Sequence, residues 1–147
     1  MFRYRLEALL RYRKTLEDDR KRAFAEANRH YQAEISEMRR LEQERRDVME
    51  MTEKKMSIGV DRNTMELYDM YMAGAAVNIA DAAKRVEGAG QIAEMEREKL
   101  VEAMKKRRIM EHHRETLKER HNAEEDRKER LFADEVALLR FSRKEAN

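Results

Sequence analysis

The fold is decided by residues 57–64, which read SIGVDRNT and interrupt an otherwise continuous helical pattern. Gly59 suits the left-handed conformation that commonly ends a helix, because glycine has no side chain to clash there. Asn63, followed three positions later by Glu66, resembles a capping box that opens another helix. Because this is the one strong break in the sequence pattern, we predict a single turn between two helices.

Upstream of the break, apolar residues recur in steps of three and four, with Arg or Lys between them. This spacing predicts one apolar stripe on a long helix. The stripe comprises Phe2, Leu6, Leu9, Leu16, Ala23 or Phe24, Ala27, Tyr31, Ile35, Met38, Leu41, Val48 or Met49, and Met56.

Downstream of the break, two mostly apolar series repeat every seven residues, three positions apart, and define the a and d positions of a coiled coil. Beyond Leu100 the second series becomes polar, at Arg107, Arg114 and His121, so looser packing is expected there. The first series is Tyr68, Ala75, Ala82, Ala89, Glu96, Ala103, Met110, Leu117, Glu124, Leu131 and Leu138, and the second begins Met65, Met72, Ile79, Val86, Ala93 and Leu100.

The composition excludes most other fold classes. The 147 residues include no proline and no cysteine, and 44% of them are charged. Proline interrupts helices, so its absence permits very long ones. Such a charged chain could instead be disordered, but the apolar periodicity favours helices. We predict an all-α protein in which two long helices form an antiparallel coiled-coil hairpin.

The position of the turn sets the register of the hairpin. Pairing about residue 60 places Leu16 near Met104, and Ile35 near Arg85. The predicted division is a first helix over 1–57, a turn over 58–63, a second helix over 64–141 that outruns the first from about residue 119, and a disordered tail over 142–147. The apolar residues with no obvious cover in that last stretch are Leu131, Phe132, Val136, Leu138, Leu139 and Phe141.

Small residues are concentrated in the second helix near the turn. They allow two backbones to approach closely, although glycine inside a helix costs about 1 kcal/mol relative to alanine. Two interpretations remain open, a tightly packed helix pair and a groove left for a partner. The residues are Ala73, Gly74, Ala75, Ala76, Ala80, Ala82, Ala83, Gly88, Ala89 and Gly90.

No motif for catalysis or cofactor binding is evident. His112 and His113 are adjacent, so they point to different faces of a helix and do not make the four-residue spacing of a zinc helix. The basic run 105–108 is the best nucleic-acid candidate, but acidic residues interrupt it and the net charge is only +2. We predict no catalytic residue, no metal, no other cofactor and no nucleic-acid partner.

Charge is distributed unevenly along the chain. The formal charge is +4 over residues 1–22, −5 over 23–96 and +3 over 97–147. In an antiparallel hairpin the two basic segments meet at the end that holds the termini, whereas the turn lies at the acidic end. This arrangement suits an adaptor with two docking surfaces.

Both ends of the chain carry longer motifs. Residues 2–13 read FRYRLEALLRYR, an aromatic-x-aromatic-x-Leu-Glu-x-Leu-Leu-x-x-Arg pattern, and residues 134–141 read DEVALLRF. In these motifs, in total length and in the mid-chain break after Met56, the chain resembles the FliJ family of flagellar type III export proteins.

The resemblance implies a non-enzymatic coiled coil similar to the stalk subunit of rotary ATPases. The implied partners are the hexameric flagellar export ATPase, whose assembly and activity it promotes from inside the ring, the cytoplasmic linker of the export gate protein, and export chaperones. It implies a role in flagellum biogenesis and motility. The expected location is cytoplasmic and peripheral at the inner membrane of the flagellar base, without membrane insertion, and the free protein is expected to be a monomer.

Site residues follow from the same resemblance by position. Several of them, including Leu6, Leu9, Met72, Ala75 and Ile79, also lie on the predicted apolar stripes, so a purely structural role stays open. The implied ATPase-binding residues are Phe2, Leu6, Leu9, Leu10, Arg13, Leu138, Leu139, Arg140 and Phe141, and the implied gate-binding residues are Tyr68, Tyr71, Met72, Ala75 and Ile79. The alternative function is a self-associating coiled-coil scaffold or tether unrelated to export.

Overall fold

A computed structural model describes residues 1–145 and contains two long α-helices. Helix α1 spans Glu7–Met56, and helix α2 spans Arg62–Glu145. No β-strand occurs among the described residues. The helices pack against each other in antiparallel orientation, so the predicted all-α hairpin is confirmed.

The ends of the helices differ from the bounds drawn from sequence. The pattern predicts a helix from residue 1, whereas α1 begins at Glu7. The reason lies in Tyr4, which is only 8% exposed and whose hydroxyl is hydrogen-bonded to His113 Nδ1 at 2.8 Å. Side-chain contacts with α2 therefore hold the first six residues in a non-helical path. At the other end α2 continues to Glu145 rather than ending at 141, and residues 146–147 of the predicted tail lie outside the described residues.

The turn follows the predicted position but uses a different cap. Gly59 has a φ of 108°, the left-handed conformation expected of it, and its N–H donates to the carbonyl of Lys55 at 3.2 Å. The predicted capping box of Asn63 and Glu66 is wrong. Asp61 caps α2 instead, accepting the N–H of Thr64 at 3.1 Å and also its hydroxyl. Because α2 begins at Arg62, Asp61 occupies the N-cap position.

The chain divides into two compact units, one of residues 18–101 and one of residues 1–17 with the chain from 102 onward. In the first unit, α2 contributes small buried residues, and Ala82, Ala89 and Ala93 are at most 6% exposed. A Cβ atom at Gly90 would lie 3.0 Å from the ring of Tyr31 on α1. This part of the small-residue segment is therefore a tight helix pair.

The predicted register is also found in this unit. Arg85 Nε donates to Glu34 Oε2 at 3.2 Å, one residue from the predicted partner Ile35. The remaining small residues, Ala73, Gly74, Ala76 and Ala80, are exposed. The packed residues of the segment lie on or next to the seam, where seam means the a and d positions at which the two helices face each other.

The seam of α2 follows the predicted repeat. Every a and d position from Met65 to His121, including the polar ones, is buried or half-buried. Beyond His121, Val136 is the only half-buried residue of 122–145, and the others are exposed. Residues 122–145, which we call the overhang, thus have no cover from α1, and they begin close to the predicted position of about 119.

The seam of α1 is shifted in its first turns relative to the predicted stripe. Leu10 is fully buried and Glu17 is 2% exposed, whereas Leu6 and Leu9 are 44% and 41% exposed. The assignment of Leu6 and Leu9 to the seam is therefore wrong. The observed seam is a strict seven-residue repeat of Leu10, Arg13, Glu17, Arg20, Phe24, Ala27, Tyr31, Glu34, Met38, Leu41, Arg45, Val48 and Thr52.

Candidate interaction surfaces

The unit that holds the N-terminus contains a charged layer within its seam. Arg107 Nε donates to the carboxylate of Glu17, and its Nη1 donates to Glu111 Oε2 at 2.5 Å. Lys14 Nζ lies 3.6 Å from the other oxygen of Glu111. The hydrogen bond with Glu17 raises the pKa of Arg107 above its ordinary value. The expected loose half-seam is therefore occupied by a network of ion pairs.

Sequence reasoning missed this network because it searched for apolar repeats. The signal was nevertheless present. Glu17 lies seven residues after Leu10, and Arg107 lies seven residues after Leu100, so residues of opposite charge occupy seam positions of facing helices. A buried acidic residue is seldom found without such a partner.

The first six residues, which we call the N-terminal strap, lie against α2. The ring of Phe2 lies 5.7 Å from that of His121, and Tyr4 contacts His113 through both its ring and its hydroxyl. At the start of α1, Glu7 pairs with Arg114 Nε at 3.5 Å. These contacts connect the N-terminal motif to α2 over residues 113–121.

The structure does not bring the predicted ATPase-binding residues into one patch. Phe2 and Leu10 pack against α2 or are buried, and Arg13 is half-buried. Leu6 and Leu9 are exposed near them. By contrast, Leu138 lies 17 residues beyond His121, which is about 26 Å along a helix. Leu139, Arg140 and Phe141 lie with Leu138 in the overhang, and all four are exposed.

The overhang presents an apolar face. A helix turns by about 100° per residue, which places five apolar residues within an arc of roughly 160°: Leu131, Phe132, Val136, Leu138 and Leu139. Phe141, which is 62% exposed, lies outside this arc. Leu131 is 55% exposed, and Phe132 and Leu138 are nearly 70% exposed. Contiguous exposed apolar surface of this kind marks interaction sites in soluble proteins.

Four of the five predicted gate-binding residues lie on the seam. Tyr68, Met72, Ala75 and Ile79 are half-buried, as their heptad positions require. Tyr71 is different, because it is 36% exposed and lines a shallow groove. The other residues of that groove are Arg40, Leu41, Glu44, Gly74, Ala75 and Asn78.

A second groove, which we call the apolar groove, lies between the start of α1 and the facing turns of α2. Its exposed aliphatic residues are Leu6, Leu9 and Ile109. Ile109 is 69% exposed and had no role in the sequence analysis, because it lies outside the seven-residue repeats. Ile109 follows four basic residues in the stretch KKRRIM (105–110), and an apolar residue in such a charged, solvent-facing stretch is the sequence signal for an exposed contact residue.

Over residues 1–145, no helix has a segment long and apolar enough to span a bilayer. Within the same residues there is no cluster of three or more His, Cys, Asp or Glu side chains placed to hold a metal ion.

The fold and these surfaces define a class of protein, the antiparallel two-helix coiled coil with exposed apolar faces near its termini. The model of the flagellar FliJ protein family matches residues 1–146. The chain therefore belongs to the FliJ family and is a component of a type III protein export apparatus. This family comprises structural export components.

The solved structure of a YscO homolog, CT670 from Chlamydia trachomatis, has a similar fold. The TM-score is 0.60 at 22% sequence identity, and the match covers 95% of this chain and 94% of that one. At this identity the likeness concerns the fold alone. No significant match to a curated protein was found.

Proposed function

We propose that this protein docks in the ring of the hexameric flagellar export ATPase and promotes its assembly and activity. The observation that carries the proposal is the apolar face of the overhang, with Leu131, Phe132 and Leu138 uncovered by α1. A soluble protein retains such a face when a partner covers it. The proposed role is non-enzymatic and needs no cofactor.

The docking surface has two parts in this proposal. One is the overhang near Leu138, Leu139, Arg140 and Phe141. The other is the region of the N-terminal strap and the first turns of α1, where Phe2, Leu6, Leu9 and Arg13 would make the contact. Leu10, which is fully buried, would hold these turns against α2. Because the two parts lie far apart along α2, they would contact different levels of the ring rather than one site.

Asymmetry explains how a non-enzymatic partner changes turnover. One hairpin inside a six-fold ring contacts only some subunits at a time. It shifts the conformations of those subunits by the difference in its affinity for each state, as any allosteric partner must. Stimulation therefore depends on the contact surface and not on chemistry supplied by this chain.

The test uses the purified full-length protein and its export ATPase. Leu138→Asp and Phe132→Asp should each reduce the stimulation of ATP hydrolysis about tenfold or more, because a charge within an apolar interface disrupts its packing. Ile92→Asp is the matched control, since Ile92 is 55% exposed but lies on α2 within residues 18–101. Unchanged turnover and ring assembly with wild-type protein would reject the proposal.

A second contact is proposed with the cytoplasmic linker of the export gate protein. It involves the part of α2 around Tyr68, Tyr71, Met72, Ala75 and Ile79. What supports this assignment is the exposed ring of Tyr71 beside a shallow groove. The seam residues among the five would then position α2, while Tyr71 makes the contact.

The remaining parts of the proposal concern chaperones, location and oligomeric state. The protein is proposed to bind export chaperones and to work in the cytoplasm at the inner face of the membrane. It is proposed to be a monomer when free, in contrast to the scaffold alternative. Sedimentation equilibrium distinguishes these two, because a self-associating scaffold would exceed the chain mass of 17.7 kDa.

A further inference from the structure

The apolar groove is a built feature of the packed unit and not part of the overhang. Its walls are Leu6, Leu9 and Ile109, which are 44%, 41% and 69% exposed. Tyr4 and His113, joined by their 2.8 Å hydrogen bond, line the same groove. The groove has a volume of about 350 Å³ and is broadly open to solvent. These dimensions suit protruding side chains of another protein.

Positive charge flanks this groove. Arg13 on α1 and Lys106 on α2 both line it. Along residues 1–145 neither of them forms an ion pair, although Arg13 lies 5.9 Å from the ring of Tyr12. Nearby cations behave differently, since Lys14 and Arg107 are both paired with Glu111. Within residues 1–145, Arg13 and Lys106 are therefore two unpaired cations that line the apolar groove.

We infer that the apolar groove binds an amphipathic helix of a partner protein whose aliphatic face is flanked by carboxylates. Leucine-sized side chains would pack on Leu6, Leu9 and Ile109, and Asp or Glu on either flank would meet Arg13 and Lys106. Apolar contact supplies the affinity of such helix-in-groove complexes, and complementary charge selects the partner. This inference rests on the proposed function, because Leu6, Leu9 and Arg13 belong to the proposed ATPase-docking surface.

The experiment uses the full-length protein and two designed peptides. The acidic peptide is a capped helix of about 18 residues with leucines at i, i+3, i+4 and i+7 and Glu on both flanks, and the basic peptide has Lys in place of Glu. Fluorescence anisotropy should detect binding of the acidic peptide and at least about tenfold weaker binding of the basic peptide.

Four variants locate the site. Ile109→Asp and Lys106→Glu should each weaken binding of the acidic peptide about tenfold or more. Ile92→Asp and Lys84→Glu are the matched controls on exposed positions of α2 and should bind as the wild type does. Because Ile109 and Lys106 are exposed, circular dichroism should show the same helix content in all four variants.

Three outcomes would overturn the inference. These are no binding of the acidic peptide, equal binding of the two peptides, and equal binding by wild type and Ile109→Asp. Concentration-dependent dimerisation of the free protein that Ile109→Asp abolishes would also overturn it, since a second copy would then occupy the groove. A separate measurement of ATPase stimulation distinguishes the groove inference from the proposed function. If the acidic peptide binds as expected but the ATPase is not stimulated, only the proposed function fails.

Discussion

Arg107 of α2 donates a hydrogen bond to Glu17 of α1 inside the seam, where Glu17 is 2% exposed. Both residues occupy positions that coiled coils usually fill with apolar side chains. Arg107 reaches Glu111 on its own helix as well, at 2.5 Å. The pair therefore connects two helices at a level where burial makes a lost contact costly.

The first prediction concerns this pair. Arg107→Met should lower the free energy of unfolding by about 2 kcal/mol, because it removes the guanidinium from a buried carboxylate. The double change Glu17→Leu with Arg107→Met should recover most of that loss, since no charge of the pair then remains buried. Urea denaturation of Arg107→Met, Glu17→Leu and the double variant gives the coupling free energy. Additive effects of the two changes would contradict the prediction.

The second prediction uses the glycines of α2. Gly88→Ala and Gly74→Ala should each stabilise the protein by about 0.5–1 kcal/mol, because alanine favours a helix over glycine and a new Cβ has open space at both positions. Gly90→Ala should gain less, since its Cβ would lie 3.0 Å from the ring of Tyr31. Thermal or urea unfolding ranks the three. An equal gain at Gly90 would show that the Tyr31 ring moves freely.

The third prediction concerns pH and the start of α2. The hydroxyl and N–H of Thr64 both bond to the Asp61 carboxylate, and the hydroxyl bond is the larger cause of lowering its pKa below the ordinary value of 3.8. A lowered pKa in the folded state means that the cap stabilises the fold fully above about pH 4. That contribution is lost as the pH falls through the folded pKa.

Asp61→Asn is the matched control, because asparagine caps a helix without titrating. Wild type and Asp61→Asn should therefore differ in their stability profiles only below about pH 4, where wild type loses the carboxylate cap. A carbon-detected NMR titration of Asp61 should give a midpoint below 3.8. A midpoint at or above that value would mean that the cap is not formed in solution.

The fourth prediction separates a contact residue from a structural one near the turn. Tyr71→Ala should weaken binding of the export gate linker without lowering the unfolding midpoint, since Tyr71 is 36% exposed. Tyr68→Ala should lower the unfolding midpoint, because Tyr68 is half-buried on the seam. Isothermal titration with the purified linker and thermal unfolding measure the two effects. Unaltered linker binding by Tyr71→Ala would remove Tyr71 from the proposed gate contact.

Most of the fold was predictable from the sequence because its determinants are local and periodic. The a and d series of α2 predicts the seam from Met65 to His121, and the turn at Gly59 sets a register that Glu34 and Arg85 confirm. Each of these signals depends on spacing alone. A seven-residue repeat is visible without knowledge of the partner helix.

The error in the stripe of α1 has its physical origin in polar residues at seam positions. Glu17 and its neighbours on the seam are charged, so the apolar periodicity favours the exposed Leu6 and Leu9 over the buried Leu10. The choice of Asp61 over Asn63 as the cap depended on where α2 begins, and such bounds vary by a residue or two. Contacts between distant residues, such as Tyr4 with His113, have no local signature.

The structure separates the predicted docking residues into exposed ones and ones that are buried or half-buried. The sequence motifs placed both ends of the chain in one group, but the overhang carries Leu138 well beyond the N-terminal strap. The half-burial of Met72 and Ile79 follows from their seam positions. The exposure of Tyr71 and Ile109 depends instead on the helix face that each side chain occupies. Exposure is a property of the packed pair, so it could be read only from the structure.

Helix α2 continues from the packed seam into the overhang without interruption. Starting a helix is the unfavourable step of helix formation, whereas each added residue gains a hydrogen bond. The turns of the overhang therefore extend a helix that is already formed where α2 packs against α1. A partner that binds there meets a backbone whose conformational entropy has been reduced in advance, so a smaller ordering cost is subtracted from the free energy of association.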